Sequence, residues 1–473
     1  MNKAISSTTS KIVFLALCIL FLALFTVKGA TVIDPDLGWH IKVGEIILKT
    51  GRVPATDPFS YTMSNFPFID HSWLMSLGVA LLYPVIGLWG ISFLFALMGT
   101  GAYVMQYVAT KNKGIFPLFV SLFTCLPFVG IRSQISTMLF FSTLLLLLRQ
   151  SKKIQLFIIP LMLLWVNLHG GFFIGIITLA IYTVTEGIRL KKMPNFHLIL
   201  CVLCLLLSVC NPYGVQIWKE VLLTSTDLMV RASISEWMPA FFYINIPFWI
   251  YTGFIIALAI RYRNIKENLF YLVLGTFLLI NVFVGMRHIP LWLLTTFYMW
   301  GQYYPQLKQD SARNKTIRAR FDKVKKIATY TIAAAFFIQS VFYIQSIISS
   351  IETKMYPVGA LKYLTTQKKD GNMFALYGWG GYIVWKIPGE KTFIDGRMPI
   401  WNGGNKNTRF LSYAYADYLN ILGGRAPFEY YRAKYHITYV LMPTKKRGET
   451  GKNIFTSYPV KYSDETATLY DTK

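Results

Sequence analysis

Apolar residues gather in long runs along this chain, and polar residues are confined to the stretches between them. The runs fall near 12–28, 84–108, 115–130, 134–149, 154–168, 170–187, 197–210, 243–260, 268–285, 288–304 and 327–349. By length they predict about eleven membrane-spanning helices. The first run is too long for the apolar core of a cleaved leader, and "TVKGATVID" is a poor small-residue cleavage site. It is therefore read as a retained first helix. From about Tyr356 the pattern becomes that of a soluble α/β domain. "NMFALY", "YIVWK", "KTFID", "ITYVLM" and "ATLYD" read as short strands, and "TRFLSYAYADYLNIL" and "FEYYRAKY" as helices. The expected organisation is a transmembrane domain over 1–304 with a long first loop at 29–83. A basic linker (305–326), a last span (327–349) and an α/β domain (350–473) follow.

Charge gives this pattern a direction. Of 473 residues, 54% are hydrophobic and only 15% charged, with a mean hydropathy of +0.44. A soluble chain would carry about a quarter charged residues. The net charge of +25 would suggest nucleic acid in a soluble protein. Here no basic stretch is interleaved with stacking aromatics, and nucleic acid is set aside. Lys and Arg instead cluster in alternate loops: "TKNKG", "RQSKK", "GIRLKK", "RYRNIK" and "KQDSARNKTIRARFDKVKK". Such loops mark the cytoplasmic side. An odd number of spans then puts the N-terminus inside and the C-terminal domain outside. The linker Lys308–Lys326 is expected to lie on anionic membrane lipid. The five cysteines lie in or beside apolar runs, where Cys201 and Cys204 read as packing rather than redox chemistry.

The opposite loops are poor in Lys and Arg, yet they hold the unusual polar residues. Asp34, Asp36, His40, Asp57, Asp70 and His71 lie in the first loop. Arg132, Asn167, His169, Asn211, Glu236, Arg287 and His288 stand in later turns of the same set. Singly, each reads as an interfacial side chain or a turn residue. Jointly, ionisable groups on several turns of one face point to a polar cavity opening outward. One carboxylate of "DPD" could be a general base for an acceptor hydroxyl. Asp34, Asp36 and Asp70 could instead hold Mg2+ or Mn2+. Asp34 could also cap the helix expected of "LGWHIKVGEIILKTG", with Pro35 at its first position. Arg287, His288 and Arg132 suit a phosphate, which guanidinium binds in a fork. A lipid-linked phosphate at the outer boundary fits better than a soluble nucleotide, whose site would be cytoplasmic.

These residues carry a resemblance. "DPDLGWHIKVGEIILKTGRVPATDPFSYT…FIDHSWL" resembles the first outer loop of a bacterial family of multi-spanning proteins related to the GT-C glycosyltransferases. "WVNLHGGFFIG", "NPYG", "EW.P", "RHIPLW" and "YGWGGYIVW…FIDGR" follow in the family's order. The resemblance implies sugar transfer from a polyprenyl-phosphate donor to a glycan, lipid or protein acceptor, outside the cytoplasmic membrane. It also implies an acidic residue of the first outer loop in catalysis, at Asp34 or Asp36. The chain departs from the family at Gly38, where a second aromatic is usual, and at Ser72, where "HEWL" has a carboxylate. A transporter or flippase of a lipid-linked glycan, and a non-catalytic assembly subunit, are the competing readings. Arg397 in "FIDGR" is read first as a strand-end ion pair with Asp395, and second as a group at the cavity mouth.

Overall fold

The computed structural model describes residues 2–110, 115–226, 235–242, 245–262, 265–313, 347–367, 370–398, 401, 412–444 and 454–473, with isolated positions between 319 and 345. Most of the basic linker and of the last expected span lie outside the described residues, as do Lys111 and Asn402. Each of the other ten apolar runs is helical. The helices used below are α1 (Asn2–Thr31), α2 (Leu37–Thr50), α3 (Trp73–Ala109), α4 (Ile115–Cys125), α5 (Gln134–Leu147), α6 (Ile158–Leu168) and α7 (Phe172–Leu190). They continue with α8 (Asn195–Leu207), α9 (Gln216–Thr226), α10 (Ile246–Arg261), α11 (Ile265–Val284) and α12 (Ile289–Arg313). Among the described residues, Lys11–Thr31, Trp73–Ala109 and Phe172–Leu190 are long and apolar enough to cross a membrane, and further apolar helices are shorter. Gly87, with φ of 61°, breaks α3 just after Pro84.

The chain divides into two compact units. The first comprises Met1–Gly29, Ser92–Val215 and Arg231–Ser346. Apolar side chains gain little from leaving lipid for a helix interface, so close packing and polar contacts must join these helices. Gly29 of α1 admits Ser92 of α3: a Cβ at Gly29 would stand 2.2 Å from Ser92 Oγ, which donates to Thr26 O at 2.7 Å. Gln106 donates to Ser142 O at 2.9 Å, and Ser142 Oγ donates to Ala102 O at 2.7 Å, tying α3 to α5. Trp165, Trp292, Tyr251 and Phe297 fill the buried interior.

The second unit comprises Ala30–Ile91, Gln216–Val230 and Ile347–Lys473. Its sheet runs in the order β1 (Asn372–Ala375), β2 (Ile437–Pro443), β4 (Ala467–Asp471), β3 (Val460–Ser463), with only β1 and β2 parallel. Helices α13 (Val358–Thr365), α14 (Gly380–Lys386), α15 (Tyr413–Leu422) and α16 (Phe428–Tyr435) complete it. The long first loop is woven into this region. Thr392 donates its N–H to Phe59 O at 2.8 Å, and its own carbonyl accepts from Tyr61 N at 3.1 Å. Tyr61 Oη donates to Met373 O at 3.0 Å, and Thr62 Oγ1 to Phe393 O at 2.6 Å. One core results, shared by Trp39, Met63 and Phe68 of the loop and Phe374, Phe393, Tyr418 and Val440 beyond.

Three strands read from sequence are strands, and two are not. "YIVWK" lies in α14, where Gly380 to Trp385 are all buried. A short apolar run buried on every side has no period to distinguish helix from strand. "KTFID" forms bridges only at Thr392. Strand β3 and helix α13 add to the elements expected: the one is largely exposed and short, the other a two-turn helix after Pro357.

Candidate active site

The "DPD" turn lies in the second unit and ends in α2. Asp34 Oδ1 accepts the N–H of Asp36 at 3.0 Å, and Asp34 O accepts the N–H of Leu37 at 3.1 Å. The first aspartate thus shapes the turn. The expected cap shifts accordingly: the N-cap of α2 is Asp36, Pro35 stands outside the helix, and the Asp36 side chain makes no helix-capping bond. Asp36 Oδ1 accepts from Trp39 Nε1 at 3.0 Å, one turn further on. Both aspartates are partly exposed.

Glycines bring other segments of the unit against this turn. A Cβ at Gly396 would stand 2.1 Å from Asp36 Oδ1, and one at Gly381 would stand 2.2 Å from Pro35 O. A Cβ at Gly38 would lie 2.1 Å from Gly381 O and 2.9 Å from Trp385 Cβ. The aromatic usual at position 38 has no room here, and α2 and α14 meet backbone to backbone. The "DPD", "GWGG" and "DGR" stretches are therefore one constellation. Sequence reasoning notes the tryptophan of this stretch without giving it a role, and it does not single out Gly396. The signal available is Trp39 three residues after Asp36, on the same helical face.

Behind the turn runs a buried chain of polar groups. Ser76 Oγ donates to Asp70 Oδ2 at 2.7 Å and lies 2.8 Å from His40 Nδ1, while Asp70 Oδ1 accepts from Ser72 N at 2.8 Å. Because Ser76 gives its proton to Asp70, His40 donates from Nδ1 to Ser76. Burial, with His71 and Arg397 near, holds His40 well below the usual histidine range. Burial also pushes the Asp70 carboxyl up to about 6, against the opposing hydrogen bonds and Arg397. Ser72 is buried and its hydroxyl has no hydrogen-bond partner among the described residues. Asp70 is thus committed to Ser72 and Ser76. Among the described residues no three His, Cys, Asp or Glu side chains converge on a metal position. The set Asp34, Asp36, Asp70 does not fit a divalent ion.

Arg397 lies in the same core. Nη2 contacts Asp395 Oδ2 at 2.6 Å and Nη1 contacts Asp57 Oδ1 at 2.8 Å, with all three side chains almost fully buried. Its guanidinium lies over the rings of Phe59 at 4.9 Å, Phe68 at 5.0 Å and Trp401 at 5.2 Å. Asp57 also accepts from the N–H groups of Phe59 and Ser60. This arrangement fastens loop to α/β region. A group so enclosed acts as an internal clamp, and the second reading of Arg397 has no support in its surroundings.

In the first unit, the basic turns meet at one carboxylate. Arg132 Nη1 contacts Glu236 Oε2 at 2.7 Å, across 104 residues of chain. Arg287 stacks on Trp237 at 4.1 Å. Met286 N donates to Met238 O at 2.8 Å, which holds the Met286–His288 turn beside Glu236 and Trp237. Burial disfavours the Glu236 carboxylate, but Arg132 and Arg287 outweigh it and hold the carboxyl below its usual range. His288 sits in the same turn, partly exposed.

Asn167, His169 and Asn211 serve other turns of this unit. Asn167 Nδ2 donates to Cys210 O at 3.0 Å, joining the end of α6 to the end of α8. His169 Nδ1 accepts from Gly171 N at 3.0 Å and lies 2.7 Å from Thr137 Oγ1, so its proton is on Nε2. Asn211 Oδ1 accepts from Tyr213 N at 2.8 Å within its own turn.

This chain, a polytopic helical bundle with a C-terminal α/β region, shares its fold with solved structures. Among solved structures it is similar to the archaeal oligosaccharyltransferase AglB of Archaeoglobus fulgidus, in complex with an inhibitory peptide and a dolichol-phosphate. That likeness has a TM-score of 0.57 at 12% identity and covers 91% of this chain and 69% of that one. It is also similar to ArnT of Cupriavidus metallidurans in the apo state, with a TM-score of 0.50 at 11% identity over 98% of both chains. No family model and no curated protein matches the sequence.

Proposed function

We propose that this chain is an integral-membrane glycosyltransferase that moves a sugar from a polyprenyl-phosphate donor to an acceptor outside the cytoplasmic membrane. The observation that carries this reading is the seat of Asp36: a partly exposed carboxylate on a turn shaped by Asp34, oriented by Trp39 and pressed by Gly396. Such a group can take the proton of an acceptor hydroxyl as its oxygen attacks the anomeric carbon. The bond from that carbon to the phosphate oxygen breaks, and the lipid phosphate leaves with an added negative charge. Arg132 and Arg287 are assigned to the phosphate, because guanidinium is matched to its oxygens and gains most where charge develops. His288 is assigned to the same group. The dolichol-phosphate in the complex of the archaeal neighbour supports a lipid phosphate as the donor class. The loop charges support an N-terminus inside and the α/β region outside.

The test is transfer from radiolabelled polyprenyl-phosphate hexoses and pentoses by the full chain in detergent, read as released polyprenyl phosphate. Asp36→Asn should lose roughly 10²–10⁴-fold of the rate while folding normally. An Asp36→Asn protein as active as the parent would remove the base and with it this mechanism.

A further inference from the structure

The basic cluster of the first unit contains its own counter-charge, and that limits the ligand it can take. Arg132 and Arg287 bring two positive charges, and Glu236, contacted by the first and under the influence of the second, brings one negative. Arg132 and Glu236 keep 33% and 28% of their side-chain surface exposed, even though burial disfavours the Glu236 charge. The backbone bond from Met286 to Met238, and the stacking of Arg287 on Trp237, fix the carboxylate among its cations. For these three described side chains the formal sum is +1. A lipid phosphodiester carrying one negative charge neutralises it. A diphosphate diester carries two, and it would set its second phosphate against a fixed carboxylate.

We propose that Glu236 is a specificity-determining residue that admits a monophosphate-linked lipid and rejects the diphosphate-linked equivalent. This rests on the reading of the cluster as the donor-phosphate site. The physical basis is discrimination by repulsion: a like charge costs the wrong ligand more than it costs the right one. Two guanidiniums suffice for one phosphate group, through forked bonds or through one arginine on each side.

The experiment compares two synthetic probes with the same tail, farnesyl methyl phosphate with one charge and P1-farnesyl P2-methyl diphosphate with two. Binding to the full chain in detergent is read by tryptophan fluorescence and by calorimetry. The parent protein should bind the monophosphate at least ~10-fold more tightly. Glu236→Gln should erase or invert that ratio, chiefly by tightening the diphosphate, while Glu236→Asp should keep it. Arg287→Gln should weaken both probes. A parent protein that binds both probes with the diphosphate equal or tighter overturns the selectivity and leaves the phosphate site standing. An unchanged ratio in a folded Glu236→Gln protein does the same. A parent protein that binds neither probe overturns the phosphate site as well.

Discussion

At the scale of single residues, Asp70 shows how burial separates two carboxylates of one loop. Asp34 lies partly open in its turn, whereas Asp70 is 2% exposed with its carboxyl raised to about 6. A carboxyl whose folded value lies above its unfolded value binds more protons folded than unfolded between the two. Stability therefore falls as pH rises from about 4 to about 6, and the full cost is present above that window. Raising a carboxyl from about 4 to about 6 amounts to a cost of about 3 kcal/mol for its charged form. Asp70→Asn keeps an acceptor for the Ser72 N–H and removes the buried charge, while its amide N–H faces Ser76, which then turns its own proton to His40 Nδ1. It should raise the thermal midpoint of the purified protein at pH 8 and change it little at pH 4. A variant less stable than the parent at pH 8 would mean that the charge is compensated by groups other than Ser72, Ser76 and Arg397. The sequence places Asp70 and His71 in an unusual loop. It could not show that Asp70 turns inward to Ser76, because only packing decides which carboxylate of a loop is buried.

At the scale of elements, the apolar runs were legible because a bilayer imposes both length and hydropathy on a helix. The helix at Leu37–Thr50 was legible from its 3.6-residue apolar spacing and the glycine that ends it, Gly51, in the left-handed conformation with φ of 68°. The α14 helix was not, since its residues are buried all round and carry β-branched side chains. Nor could the sequence announce that Arg132 pairs with Glu236, since nothing local links residues so far apart. The contact of α2 with α14 yields a sharp expectation. Gly38→Ala drives a methyl into Gly381 O, a backbone atom that can yield only if a helix moves. Overpacking of this kind costs about 1–3 kcal/mol. Gly78→Ala, with nothing within 4 Å of its Cβ, should be neutral or slightly stabilising as a helix substitution. Differential scanning fluorimetry on the two variants should separate them by several degrees, and equal midpoints would contradict the tight crossing.

At the scale of the whole molecule, the alternation of basic and non-basic loops carries the proposed orientation. Cysteine labelling in intact cells should find Lys191→Cys protected from a membrane-impermeant reagent and Asn65→Cys, an exposed residue of the first loop, accessible. Protection of both would refute the outward placement of Asp36. The bond between loop and α/β region also sets an order in time. Phe59 of the loop is hydrogen-bonded to Thr392, 333 residues later in the chain. Translation at about 5–20 residues per second separates the two partners by roughly 15–70 s. During that interval Tyr61 and Thr62 have no acceptor at Met373 or Phe393, and the rings of Phe59 and Phe68 have no guanidinium to enclose. The first loop is thus among the earliest segments to be made and among the last to be finished, so a ribosome stalled in the later helices leaves behind a chain whose first loop has never folded.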